Sequence, residues 1–256
     1  MDININAYKE FGEKIVSDAG EILLDYQLNF KVLNQKDIQD ITTSADIASE
    51  EYIVNSILEK YPTHGILSEE KGSINLESEY RWVIDPLDGT KEYVRGIPQW
   101  NCSIALQHRS ETIVACVYRP NENVLFSAGK GLGSFKNGEK IHVSSVDNLE
   151  NSFIYCYLPS FKRNQDKYDS AFDALNKIGK KVYRLRSYAD ENTALCWLAQ
   201  GGCEAYLNLS NPPKEHDILP GLFIAQEALA YNTVNKIPLV VTSNESIYNE
   251  LIKLIE

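Results

Sequence analysis

The sequence predicts a mixed α/β (α+β) chain: a helical start, an antiparallel meander, then an alternating strand–helix half. Three observations predict it. Tyr8, Phe11, Ile15, Ala19, Ile22 and Tyr26 recur at spacings of three and four, the period of an amphipathic helix. Between Ser103 and Lys136, short runs rich in Val, Ile, Phe and Tyr alternate with turn residues, ending at Asn137-Gly138, a pair suited to a tight hairpin because both positions favour positive φ. From Ser152 onward, strand-like and helix-like patterns alternate.

Taken in order, the first helix is followed by a polar loop, Asn34 to Asp40. A second helix spans Ala45 to Lys60, carries Ile47, Val54, Ile57 and Leu58 on one face, and stops before Pro62, which disfavours the helical conformation of its predecessor. Short strands follow at Ile66 to Ser68 and Arg81 to Asp85, both ending at acids, and Lys91 to Val94 reads as helical. The meander strands are Ser103 to Gln107, Thr112 to Arg119, Asn123 to Ser127 and Gly133 to Lys136. The last half reads as strand Phe153 to Leu158, helix Tyr168 to Ile178, strand Lys181 to Leu185, helix Glu191 to Ala199 and strand Ala205 to Leu209. Helix Asp217 to Ala230, strand Leu239 to Thr242 and helix Glu245 to Ile255 complete it. A length of 256 residues allows one unit of two packed halves, 1–145 and 146–256, divided between Val143 and Leu149 and sharing a cleft.

Composition removes several function classes. Thirty-six acids against 25 bases give a formal net charge of −11, which speaks against a nucleic acid polymer as partner, since phosphate neutralisation needs a basic face. No apolar run approaches the ~20 residues of a membrane-spanning helix, and MDININAYKE lacks the basic and apolar regions of a secretory signal. The five scattered cysteines read as reduced core residues of a cytoplasmic protein. His64, His108, His142 and His216 have no zinc-site spacing, and Gly129 to Gly133 lies in a meander, not between a strand and a helix, so it is a turn and not a dinucleotide loop.

Three acidic features carry the chemistry. Ser68-Glu69-Glu70 ends a short apolar strand. Trp82-Val83-Ile84 delivers Asp85, Pro86 forces a turn, and Asp88 follows with Gly89 and Thr90. Asp217 opens an apolar helix after Asn211-Pro212-Pro213. Two carboxylates on either side of a sharp turn can converge on a hard cation such as Mg²⁺, which takes few oxygen ligands from protein and the rest from water and phosphate. The N–H groups around Gly89 and Thr90 suit a phosphate. Each feature alone is also what a surface turn, an N-cap or a solvated acid pair looks like; the combination points to a metal site.

These residues carry a family resemblance. ILSEE (Ile66 to Glu70), WVIDPLDGTKEY (Trp82 to Tyr93) and HDILPG (His216 to Gly221) resemble the inositol monophosphatase superfamily, as do Thr43 to Asp46 and the hairpin Gly131 to Gly138. Within it, DPLDGTKEY, ILSEE and TSADIA are similar to the CysQ-type 3'(2'),5'-bisphosphate nucleotidases. Inositol phosphatases place a Glu seven residues before the last metal Asp, where this chain has Ser210. Further departures are His216 for the usual Trp, Leu219-Pro220-Gly221 for Ala-Ala-Gly, and Ser187 to Asn192 for a Gly-Ser-Ala-type loop.

The resemblance implies a layered αβαβα sandwich and a Mg²⁺-dependent, lithium-sensitive phosphomonoesterase with two or three Mg²⁺ per site. It implies that Glu69, Asp85 and the Leu87 carbonyl hold one ion and Asp85, Asp88 and Asp217 a second. Glu70, Thr90 and Asp46 are then the groups that orient and deprotonate the attacking water, while Gly89, Thr90 and His216 contact phosphate or substrate. The expected substrate is adenosine 3',5'-bisphosphate, with its second phosphate on Arg184 and Arg186 of a basic stretch that begins at Lys177. The alternatives are an inositol-1-phosphate, histidinol or sugar phosphatase, and a catalytically silent phosphometabolite-binding protein. A homodimer is an allowed partner state.

Overall fold

The computed structural model describes residues 3–35, 41–188, 190–232 and 239–255. Chain order is α1 (Ile5–Tyr26), β1 (Val32–Gln35), β2 (Ile41–Thr43), α2 (Ser44–Lys60), β3 (Gly65–Ser68), β4 (Gly72–Ile74), β5 (Tyr80–Asp88), α3 (Thr90–Tyr93), β6 (Asn101–His108) and β7 (Glu111–Arg119). It continues with β8 (Val124–Gly129), β9 (Gly133–Lys136), β10 (Glu139–Ile141), β11 (Phe153–Tyr157), α4 (Gln165–Gly179), β12 (Arg184–Ser187) and α5 (Glu191–Ala199). β13 (Ala205–Asn208), α6 (Glu215–Glu227), β14 (Tyr231–Asn232), β15 (Leu239–Thr242) and α7 (Glu245–Ile255) end it.

The strands form an eight-stranded sheet, β10-β9-β8-β7-β6-β5-β3-β4, and a five-stranded sheet, β12-β11-β13-β15-β14. A small β1–β2 ladder stands apart. The large sheet is antiparallel except where β3 runs parallel to β5, which brings Ser68 beside Ile84 and both acid-bearing strand ends to one edge. In the smaller sheet β11 is parallel to β12 and β13.

Side-chain alternation sorts the strands into three cores, as a period of two requires. Trp82, Ile84, Ile104 and Val114 pack with Ile15, Val16, Ile53 and Ile57 of α1 and α2. The opposite faces, Val83, Ala105, Ala115 and Val117, meet Ala194, Leu195 and Leu198 of α5 and Phe223 and Ile224 of α6, which also bury Tyr206 and Val241. The far face of the small sheet, Ile154, Cys156, Leu207 and Val240, packs on Ala171 and Ile178 of α4 and Ile247 and Leu251 of α7. The layers therefore run α1/α2, large sheet, α5/α6, small sheet, α4/α7: the αβαβα sandwich.

Several expected boundaries move. Lys181 to Tyr183 is not strand; the Lys181 N–H instead closes α4 onto the Ile178 carbonyl, and pairing with β11 begins at Arg184. The helix expected from Asp217 to Ala230 starts two residues earlier and ends at Glu227, before Leu229 at φ +75°. β1 occupies the start of the expected polar loop Asn34 to Asp40, whose remainder, 36–40, lies outside the described residues. Asn137 (φ 48°) and Gly138 (φ 81°) adopt the expected hairpin turn. All five cysteines are free and buried. Among the described residues, no helix is long and apolar enough to cross a membrane.

Candidate active site

The end of β5 builds the floor. Asp85 is almost wholly buried (1% exposed), and its Oδ1 accepts the Leu87 N–H at 3.2 Å across Pro86, which lies in a bulge of β5 and not, as expected, in a turn that ends the strand. The Ser49 hydroxyl of α2 ties the Pro86 carbonyl at 2.8 Å. Gly89 follows at φ +91°, and a Cβ there would lie 2.7 Å from the Gln99 carbonyl oxygen, so the turn needs glycine on both counts.

The neighbouring acids are held by identifiable groups. Glu50, fully buried on α2, accepts from the Ser68 hydroxyl and from the N–H groups of Glu70 (3.1 Å) and Lys71 (2.8 Å), fixing the Glu69-Glu70 segment. Asp46 is the capping-box acid of α2: its Oδ2 accepts the Thr43 N–H (2.8 Å) and hydroxyl (2.6 Å). Its Oδ1 lies 3.1 Å from Thr90 Oγ1, which is also 3.0 Å from the Leu87 carbonyl; the one hydroxyl proton serves one acceptor at a time. Glu70 accepts from Thr42 Oγ1 at 3.1 Å.

Asp217 arrives from α6, where it is the third residue and its Oδ2 accepts the Lys214 N–H at 3.1 Å. Pro220 sits inside this helix, has no N–H, and so leaves the His216 carbonyl without its helical donor. Asn192 of α5 supplies the replacement: its Nδ2 donates to the His216 carbonyl at 3.1 Å and its Oδ1 accepts the Gly221 N–H at 2.8 Å. A Cβ at Gly221 would come within 2.7 Å of Asn192 Cα, so the two helices meet this closely only at glycine. Asn192 Nδ2 also lies 3.4 Å from Asp88 Oδ2, which accepts from Asn101 Nδ2 at 3.0 Å. The two departures, Asn192 and Pro220, thus compensate each other and join α6 to the β5 turn.

Two cavities open above the floor. One, of about 250 Å³, is lined by Glu69, Glu70, Asp85, Leu87, Asp88, Gly89, Thr90 and Asp217 among others. A wider one, of about 450 Å³, adds Ser160, Asn164, Asn208 and Ser210. Both are lined by Lys91, Tyr157, Arg163, Glu191, Lys214 and Asp217, so they form one cleft with three cations at its throat.

The crowded carboxyls perturb one another. Burial, with Glu69, Asp88 and Asp217 nearby, pushes the Asp85 carboxyl well up. Burial and Asp190 do the same to Asp88, and burial raises Asp217. Burial lifts Asp46 to about 6, and it lifts Glu70 to about 7 against the Thr42 hydrogen bond. Glu191 rises to about 8 through burial and the charges of Asp217 and Asp190. Glu69 differs: burial pulls it up, but His216 and Lys214 (Nζ 3.5 Å from Oε1) hold it below its usual value. A hard, multiply charged cation is what such an oxygen set lacks, and the donor chemistry fits one.

The family model described as the inositol monophosphatase family matches residues 5–232. The chain belongs to that family. It is 36% identical to the Nus factor SuhB of Vibrio cholerae over 78% of this chain and 73% of that one. It is 30% identical to the fructose-1,6-bisphosphatase/inositol-1-monophosphatase of Aquifex aeolicus, over 98% and 96%. Among solved structures, inositol monophosphatase from Anabaena superposes with a TM-score of 0.85 at 26% identity, covering 99% of this chain and 96% of that one. As a family member the chain is a metal-dependent phosphoric monoester hydrolase acting on small phosphate esters.

These relatives carry inositol phosphatase and fructose bisphosphatase names, which back the inositol and sugar phosphatase alternative better than the nucleotidase reading. The name Nus factor describes no ester hydrolysis, and the charge-based exclusion of nucleic acid gains no support from relatives that bear it.

The cleft brings together Glu69, Glu70, Asp85, Leu87, Asp88, Gly89, Thr90 and Asp217, with Asp46 against Thr90. It does not bring Arg184 and Arg186 there. Both lie exposed on β12, the edge of the small sheet, over the rings of Tyr183 and Phe153, and neither lines either cavity. Lys91, Arg163 and Lys214 occupy the throat instead. The basic stretch misled because Lys177 lies on α4 and Arg184 and Arg186 lie on an edge strand, where both arginines are exposed. His216 is buried and aimed at Glu69 and Asp217. Glu50 and Asn101 carried no motif, and Glu191 and Asn192 were marked only as part of the departing loop Ser187 to Asn192; two polar residues directly before the apolar helical run Ala194 to Ala199 were the available signal for the latter pair.

Proposed function

We propose that the protein hydrolyses a small phosphate monoester of the inositol or sugar type with Mg²⁺ as its ion. The convergence of Glu69, Asp85, Asp88 and Asp217 on one cavity floor carries this reading. Glu69, Asp85 and the Leu87 carbonyl would hold one ion, and Asp85, Asp88 and Asp217 another. The ions would supply an activated water and charge stabilisation for the leaving oxygen.

The chain's own groups do the rest. Thr90, positioned between Asp46 and the Leu87 carbonyl, and Glu70, held by the Thr42 hydroxyl, orient the attacking water, and the Glu70 carboxylate takes its proton. Lys91, Arg163 and Lys214 draw the phosphoryl oxygens into the throat, with the backbone at Gly89 and Thr90 beside them. The leaving alcohol lies toward Asn164, Asn208 and Ser210 in the wider cavity.

Phosphate release from inositol-1-phosphate, fructose-1,6-bisphosphate, histidinol phosphate and adenosine 3',5'-bisphosphate, each with and without Mg²⁺, tests the proposal. Mg²⁺-dependent turnover favouring the first two is expected. Preference for adenosine 3',5'-bisphosphate overturns the substrate assignment, and no turnover with any ester overturns the hydrolytic one.

A further inference from the structure

We infer that His216 supplies a nitrogen ligand to the metal centre, giving this chain a mixed oxygen–nitrogen donor set that raises its affinity for Mn²⁺ and Co²⁺ more than for Mg²⁺. The inference rests on the reading that Glu69 and Asp85 ligate metal. One donor atom from each of Glu69, Asp85 and His216 lies within 4.8 Å of the others. Donors around a single ion at about 2.0–2.2 Å stand at most about 4.4 Å apart, so the set needs only a small contraction.

His216 is 7% exposed, and its Nε2 is buried without a hydrogen-bond partner. That atom faces Glu69 Oε1 at 3.7 Å and Asp217 Oδ1 at 3.3 Å, neither with hydrogen-bond geometry. This buried nitrogen stands within ion-pair distance of two carboxylates but is hydrogen-bonded to neither. A cation between them provides a partner.

The residue is also held in place. Its carbonyl is fixed by Asn192 Nδ2, and the next residue, Asp217, is fixed by the Lys214 N–H. Lys214 Nζ, 3.5 Å from Glu69 Oε1, sits on a largely exposed side chain that can withdraw. Imidazole is a softer donor than carboxylate, and affinities for nitrogen-bearing sites rise from Mn²⁺ toward Co²⁺ and beyond, whereas Mg²⁺ gains little from such a ligand.

Pulsed electron paramagnetic resonance of the full protein loaded with substoichiometric Mn²⁺ tests this. ¹⁴N modulation is expected in the wild type and is lost in His216→Gln and His216→Phe. Calorimetry should show Mn²⁺ and Co²⁺ affinity reduced at least about 10-fold in both variants, since removing even an outer partner of a ligand typically costs 10- to 100-fold. Mg²⁺ affinity should change much less. The wild-type spectrum needs no variant to fold. Bound Mn²⁺ without nitrogen modulation, or modulation that persists in the variants, overturns the inference and leaves the carboxylate site standing. Failure of the wild type to bind Mn²⁺ at all overturns both.

Discussion

Replacing Asp85 by Asn separates stability from catalysis. The Asp85 carboxyl is buried beside Glu69, Asp88 and Asp217, and its folded pKa stands well above 3.8. A carboxyl raised on folding costs stability at every pH above its unfolded value, because the unfolded chain ionises first; the cost is absent below 3.8 and grows as pH rises. At pH 7 its ceiling is the interval from 3.8 to 7 at about 1.36 kcal/mol per unit, roughly 4 kcal/mol. Asn removes the charge and keeps an oxygen for the Leu87 N–H. Allowing for imperfect packing of the amide, a net gain of about 1–3 kcal/mol is expected, or roughly 3–10 °C in Tm for a chain of this size. Calorimetry in EDTA at pH 7 should show the variant melting above the wild type, with the difference shrinking toward pH 4. With Mg²⁺ the same variant should lose roughly 10³-fold in kcat, the equivalent of about 4 kcal/mol of transition-state stabilisation. A variant less stable than wild type in EDTA, or one that turns over normally, would refute the crowded-carboxylate reasoning.

Asn192→Ala should destabilise the protein by about 1–3 kcal/mol by orphaning the His216 carbonyl and Gly221 N–H; Pro220→Ala restores the helical donor, so the double variant should lose less than the sum in chemical denaturation. His64 is stacked between Tyr61 and Tyr80 and accepts from Trp82 Nε1 at 3.1 Å, and burial lowers its pKa. Its contribution is present above pH 6.5 and lost as pH falls below it toward the depressed folded value, so wild-type stability should decline relative to His64→Gln over that window. Glu191, buried between the two cavities with Asn208 as donor, is placed to accept from substrate hydroxyls. Glu191→Ala should cut kcat/KM for inositol-1-phosphate roughly 10-fold or more and spare p-nitrophenyl phosphate; equal losses would remove the specificity role. Lithium, close to Mg²⁺ in size with half its charge, should inhibit turnover, and a flat titration would exclude it from the second cation position.

Local chemistry made the β5 turn legible in sequence. An apolar run delivers Asp85, and the Pro86 expected to end the strand instead interrupts it: β5 bulges between Asp85 and Asp88, pairing resumes at Asp88 with Asn101, and Gly89 is obligatory at positive φ. The strands β6 and β7 and the Asn137-Gly138 hairpin were legible from β-rich runs bounded by turn residues. Everything that depends on two elements meeting was decided by the tertiary structure. Arg184 and Arg186 carry the right charge, but strand order puts β12 at an edge. Lys91, Arg163 and Lys214 reach the throat from three separate segments. Asn192 has no meaning until Pro220 frees a carbonyl on the facing helix, and His216 none until α6 sets its ring against Glu69. The sequence by itself determined which strand end would gather acids, because that follows from short-range sterics and hydrophobic periodicity. Which cations and amides surround them depended on long-range packing, where a residue's neighbours are set by layer order rather than by the chain beside it.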